Sequence, residues 1–254
     1  MSVTLQQLEF FLMIVVRMSG FIFTAPFFGL RNVPLRIKTG LALAMAVVMF
    51  YVLPYEPLEY AGVIGFALVV VEETLCGLIL GFVANICYQI LAFSGQLLDM
   101  EIGFSMVNEM DPVTSAQVTV SGNLYSYAVM LMLMITYMHH FLLDALIDSY
   151  ALVPLGKVAV NPMIYSVVVK LIGEYFVLGF RIVLPVFAAM LIVNSVLAIL
   201  ARVAPQLSMF VIGIQLKVFV GLAVMVVMIK MIPGIASLIF DKMLEVMREA
   251  VAYF

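Results

Sequence analysis

The chain has 254 residues, 66% of them hydrophobic and 11% charged, with a formal net charge of -3 and a mean hydropathy of +1.23. A water-soluble domain carries about 25% charged residues, so this composition excludes a soluble enzyme. Lys and Arg are scattered singly, which leaves no basic surface for nucleic acid. The class that remains is an all-α integral membrane protein with room for about six spans of about 20 residues, because irregular backbone cannot face lipid.

No Lys or Arg precedes Arg17, and Glu9 stands where a cleaved signal would be basic, so the first apolar run reads as a retained span. Apolar stretches then cover Leu8–Leu30, Leu35–Leu53, Leu58–Phe93, Leu124–Leu143, Met163–Ala201 and Pro205–Ile232. Pro26, Gly29 and Pro34 close the first helix, Pro54 and Pro57 the second, and Asn161-Pro162 opens the fifth. The third and fifth stretches are nearly twice as long as a 30 Å hydrocarbon layer needs at ~1.5 Å per residue. They must extend beyond the bilayer, tilt strongly or break. Cys76 and Cys87 share a helical face but lie about 16 Å apart, too far for a disulfide.

Charge lies at depth. Glu72 and Glu73 fall in the third stretch, Lys170, Glu174 and Arg181 in the fifth, and Arg17, Lys217 and Lys230 in others. Each costs about 2.5 kcal/mol or more if left in lipid, so each must face protein or water. Lys170, Glu174 and Arg181 share one stripe, on which Lys170 and Glu174 can pair at i, i+4. Two readings stand side by side: pairing within this chain, or a chain that is one member of a larger assembly. Gly77-xxx-Gly81 permits close helix contact.

Arg31, Arg36 and Lys38 mark the first connector as cytoplasmic, and Glu56 with Glu59 suits the second being outside. Simple alternation then puts the acidic 98–123 stretch inside and the C-terminal tail outside, against the rule. The core of that stretch, 99–114, combines Phe104, Met106, Val107 and Met110 with Asp99, Glu101, Glu109, Asp111 and then Pro112, without one Lys or Arg. It suits a protein-walled, wet lumen closed by adaptable Met and Phe side chains; an interfacial loop dipping back on the bundle is the equal alternative. At the other end, residues 238–254 form an amphipathic helix. Phe240, Met243, Met247, Ala250, Val251 and Phe254 make its apolar face, and its mixed charge favours docking on protein over anionic lipid.

Catalytic constellations are absent from the pattern. His139 and His140 are adjacent and point about 100° apart on a helix, unlike the i, i+4 pair of a zinc site. Asp144 and Asp148 suit a weak cation site or a solvated helix end equally. No phosphate-binding Gly-rich loop or nucleophile-base pair is found. The chain reads as a non-enzyme with no cofactor and no metal.

Arg202-Val203-Ala204-Pro205-Gln206, followed by Ile212-Gly213-Ile214-Gln215-Leu216-Lys217, resembles the R-x-x-P-Q, hydrophobic, I-G-x-P-L-K signature of the FliR/type III secretion export-gate family. Arg17-Met18-Ser19-Gly20, Ala25-Pro26-Phe27-Phe28-Gly29, Val33-Pro34 and Arg36-Ile37 are similar to that family's opening. Gly103, Asp111-Pro112, the His139 neighbourhood and Ser149–Pro154 follow in the expected order. Gln215 stands where relatives usually have Pro, and Glu109 where an aromatic or apolar residue is common.

The resemblance implies an export-gate subunit of the bacterial inner membrane, in the flagellar basal body. It implies partnership with FliP, FliQ and FlhB-like export-apparatus proteins, and passage of unfolded flagellar subunits. It further implies a FliP-like part at 1–153, containing a luminal plug at 99–114 built on Phe104, Met106, Val107, Met110, Asp111 and Pro112. A FliQ-like helical hairpin would follow at 154–254. Arg17, Lys170, Glu174, Arg181, Arg202, Pro205, Gln206 and Lys217 would serve assembly or buried charge pairing. The competing reading is an autonomous polytopic secondary transporter with an intramembrane charged site, for which no internal symmetry is visible.

Overall fold

The structure, a computed structural model, describes residues 4–30, 32–58, 60–104, 119–159, 161–204 and 209–254. Its elements are α1 (Leu5–Thr24), α2 (Leu35–Val52), α3 (Gly62–Ile102), α4 (Val120–Ile135), α5 (Met138–Leu152), α6 (Ile164–Val203), α7 (Met209–Met228), a 3-10 turn (Ile229–Met231) and α8 (Ile232–Val251). No strand occurs among the described residues. Five helical stretches are long and apolar enough to cross a membrane, or six if α4 and α5 form one broken span. The protein is an all-α membrane protein.

Local chemistry sets the ends. Thr4 and Gln7 form a reciprocal capping box at the start of α1, satisfying two otherwise orphaned amides. Helix α2 stops just before Pro54, which disfavours helical backbone at the residue preceding it. Gly103 ends α3 at φ 95°, a conformation that side chains disfavour, and its amide bonds the Asp99 carbonyl at 3.0 Å.

The boundaries differ from the sequence expectation at three places. Helix α3 continues past Phe93 to Ile102, so Asp99 and Glu101 lie on a helix. The expected fourth span, Leu124–Leu143, divides at Tyr137, whose backbone is left-handed (φ 57°). The amphipathic tail does not stand apart, because α7, the 3-10 turn and α8 make one candidate span over Ile212–Val251. The two overlong stretches are unbroken helices of 41 and 40 residues, each about 60 Å long.

The chain forms two compact units, described in turn. The first comprises Met1–Cys87, Tyr137–Ile172 and Phe240–Phe254. Its core holds Phe10, Met13, Ile14 and Met18 of α1 with Ala42, Ala46 and Met49 of α2. Helices α1 and α3 meet over glycines: a Cβ on Gly20 would lie 3.0 Å from the Thr74 carbonyl oxygen, and one on Gly77 would overlap the Arg17 carbonyl oxygen. The tail folds back onto this unit. Its apolar face, Phe240, Met243, Met247, Ala250 and Val251, is buried. The carbonyls of Tyr253 and Phe254 accept from the amides of Asn161 (2.9 Å) and Ala159 (3.0 Å). The protein surface on which the tail docks is therefore its own chain.

The second unit comprises Tyr88–Thr136 and Gly173–Ile239. Gly95 of α3 abuts Gly122 of α4, and Gly221 of α7 abuts Ile102. Ser94 donates to the Ile90 carbonyl (2.7 Å) and the Gly179 carbonyl of α6 (3.3 Å), while Phe93 packs on Tyr175, Phe176 and Phe180. The N-cap of α4 is Thr119, whose side chain makes no cap bond. The cap comes from α3 instead: the buried Asp99 carboxylate accepts the Ser121 amide at 3.2 Å, placing negative charge at the positive end of α4.

Candidate functional site

Arg17 and Glu73 form the most densely bonded polar site in the first unit. Both side chains are fully buried. Arg17 Nε donates to Glu73 Oε2 at 2.6 Å and Nη2 to Oε1 at 3.1 Å, a two-point fork that fits guanidinium to carboxylate. Arg17 Nη1 donates to the Val153 carbonyl at 3.0 Å and to the Ser149 carbonyl at 3.5 Å. The cation thus satisfies the carbonyl of Val153, the C-cap of α5, shares the Ser149 carbonyl with the Val153 amide, and complements the negative end of the helix dipole. The guanidinium carbon also lies 4.4 Å from the Tyr150 ring centre. Glu73 Oε1 accepts a third bond, from the Gly156 amide at 2.9 Å.

Two helices, the end of a third and the following turn are therefore fixed by one ion pair. All three guanidinium nitrogens and both carboxylate oxygens are engaged within the chain, an arrangement suited to holding structure. Both charges are legible in the sequence and their surroundings are not: nothing in spacing connects Tyr150, Val153 or Gly156 to positions far upstream.

The other expected residues are dispersed. Lys170, on α6 in the first unit, donates to both carboxylate oxygens of Glu249 on α8 at 2.9 Å. Glu174 is half-buried on α6, and Arg181 is exposed on the same helix. Arg202 lies exposed in the last turn of α6, where a cation suits the helix dipole, and Lys217 is half-buried on α7. Phe104 follows the end of α3 and is half-buried. Met106, Val107, Met110, Asp111, Pro112, Pro205 and Gln206 lie outside the described residues. Asp99, which the sequence places at the start of the segment suited to a wet lumen, is buried as the cap of α4.

No group of three or more His, Cys, Asp or Glu able to hold a metal occurs among the described residues. A cavity of about 350 Å³ opens in the first unit beside Phe10, Met49, Val52, Tyr150 and Leu155, with Glu56 and Asp148 among its lining. Its walls contain no nucleophile-base pair.

The profile described as "Bacterial export proteins, family 1" matches residues 8–243. The chain belongs to this bacterial export protein family. It is similar to the flagellar biosynthetic protein FliR of Bacillus subtilis, 32% identical over 95% of this chain and 94% of that protein. FliR of Escherichia coli is 26% identical over 94% and 91% of the two chains, and FliR of Aquifex aeolicus 26% over 85% and 83%. The matched residues span Arg17, Glu73 and the end of α5.

Proposed function

We propose that this chain is the FliR-type subunit of the export gate of a flagellar type III secretion apparatus. It resides in the bacterial inner membrane at the flagellar basal body and assembles there with FliP, FliQ and FlhB-like proteins around a passage for unfolded flagellar subunits. The observation that carries this reading is the similarity to FliR over 95% of the chain. In this reading residues 1–153 correspond to a FliP-like part, residues 154–254 to a FliQ-like hairpin, and 99–114 to the luminal plug. The chain performs no catalysis of its own.

The charges support it. Arg17 and Glu73 satisfy each other, whereas Glu72, Arg181 and Lys217, all inside apolar helices, have no hydrogen bond or ion pair among the described residues. Charges left open in an apolar environment suit a subunit completed by neighbours. They suit an autonomous transporter less, because Glu73, fully buried on α3, is consumed by Arg17 and the Gly156 amide.

The test is exchange in a flagellated bacterium. Replacing the resident FliR gene by this one should support flagellar export and motility, and an affinity-tagged chain extracted in mild detergent should bring FliP-like and FliQ-like subunits with it. A chain that purifies alone as a stable monomer and moves a solute across vesicles would reject the reading in favour of a secondary transporter.

A further inference from the structure

Helix α6 has two unlike faces in the second unit. One is packed, with Gly179 against Phe93 and with Ile182, Val183, Val186, Met190 and Val193 buried. The opposite face is open, and it is apolar: Val177 is 66% exposed, Leu184 57%, Leu191 64% and Ile192 67%. Steps of seven residues from Val177 to Leu184 to Leu191, close to two helical turns each, place these on one stripe, with Ile192 at its edge. Arg181 stands on that stripe between Val177 and Leu184. It is exposed, and among the described residues no carboxylate, carbonyl or hydroxyl bonds its guanidinium.

A second polar group lies at the same level. Pro185 is inside the helix and has no N–H, so the Arg181 carbonyl lacks the amide four residues on that would ordinarily bond it. A guanidinium and a carbonyl deprived of its usual amide partner therefore interrupt an otherwise apolar surface. Neither lipid nor an aliphatic helix satisfies them, and a charge at such depth is held only by an opposite charge or by water.

We propose that this stripe of α6 is an interface for an apolar transmembrane helix of a neighbouring gate subunit, and that the helix brings an Asp or Glu to Arg181. This rests on the gate reading above and adds to it the surface and the chemistry of the contact. A carboxylate is specified because, among the side chains a partner helix can carry, it alone offers two anionic oxygens to the planar guanidinium, as Glu73 does for Arg17 within this chain. The aliphatic residues above and below Arg181 exclude water from the pair and fix its depth.

The test uses the assembled membrane complex. In cells that make the full set of gate subunits, a photoreactive phenylalanine at position 184 should crosslink to a partner helix. Arg181→Glu should lower the yield of co-purified gate subunits at least tenfold, Arg181→Lys should keep roughly half of it, and Arg181→Leu should fall between. Chain abundance and binding of the tail to its own unit should be unchanged, which separates lost assembly from lost folding. A second-site Asp or Glu to Lys change in the crosslinked partner helix should restore Arg181→Glu. Wild-type yield in Arg181→Glu, or rapid labelling of Cys at position 184 by a membrane-impermeant thiol reagent in the intact complex, would overturn the pairing while leaving the gate reading standing. A wild-type chain that recovers no gate subunit would overturn both.

Discussion

Arg17 and Glu73 meet at 2.6 Å with neither side chain exposed, and between them they bond α1, α3, the end of α5 and the turn at Gly156. A pair this deep contributes little net stability relative to well-packed apolar residues, because both ions lost their hydration. Its strong consequence is asymmetry: removing one partner strands the other. Glu73→Ala and Arg17→Ala should each destabilise the folded chain by about 3–5 kcal/mol. Arg17→Met with Glu73→Leu should recover much of that loss, although the Val153 carbonyl and the Gly156 amide stay unbonded. Thermal denaturation of the extracted chain, read as a double-mutant cycle, checks this; additive losses would show that the two residues act independently.

The α1–α3 crossing rests on bare backbone. A Cβ on Gly77 would overlap the Arg17 carbonyl oxygen, and one on Gly81 would overlap Thr24 Oγ1. Gly77→Val should part the helices that carry Arg17 and Glu73, lowering folded chain in the membrane several-fold. Gly40→Val, where nothing lies within 4 Å, should leave the amount unchanged. Quantitative immunoblotting of membrane fractions gives the comparison, and equal amounts for the two variants would count against close packing at Gly77.

Much of this packing is legible in the sequence, since Gly77 and Gly81 sit one turn apart and lone charges in apolar runs announce buried partners. The partners themselves are not legible, because Arg17, Glu73 and the α5 end are brought together only by tertiary folding. Helix α3 outruns its apolar stretch for a related reason. Asp99 and Glu101 end the hydrophobic pattern, yet Asp99 is retained in the helix because it caps α4, a gain visible only once α4 is in place. The break at Tyr137 has no Gly or Pro to mark it. At Pro185 the opposite happens: a residue that reads as a breaker lies inside a continuous helix. Packing on both sides of it, at Val183 and Val186, outweighs one lost backbone bond.

Asp99 gives a separate prediction. Its carboxylate supplies the cap that Thr119 does not, so Asp99→Ala should cost about 0.5–2 kcal/mol and fray the first turn of α4. Asp99→Asn keeps an acceptor oxygen and loses only the charge, so it should be milder. Hydrogen exchange at the Ser121 amide in detergent should rise in the order wild type, Asp99→Asn, Asp99→Ala. Unchanged exchange in Asp99→Ala would show that the cap does not hold the helix start.

The plug proposal is tested where its apolar residues are concentrated, from Phe104 to Met110. Asp99 and Glu101 belong to α3, so the change must begin beyond the helix end to leave the α4 cap intact. Replacing Phe104–Met110 by short Gly and Ser residues should leave chain level and gate assembly unchanged, yet raise passage of ions and small solutes across the inner membrane, because aliphatic and aromatic bulk is what excludes water from a narrow passage. Phe104→Ala and Met106→Ala should each leak less than the full replacement. A Cys at position 106, with Cys76 and Cys87 replaced, should react with a membrane-impermeant thiol reagent only during active export. Both native thiols are buried, so their replacement by Ala or Ser is itself to be checked for assembly. A replaced segment that assembles fully and leaks no more than wild type would mean that 104–110 is a connector rather than a barrier.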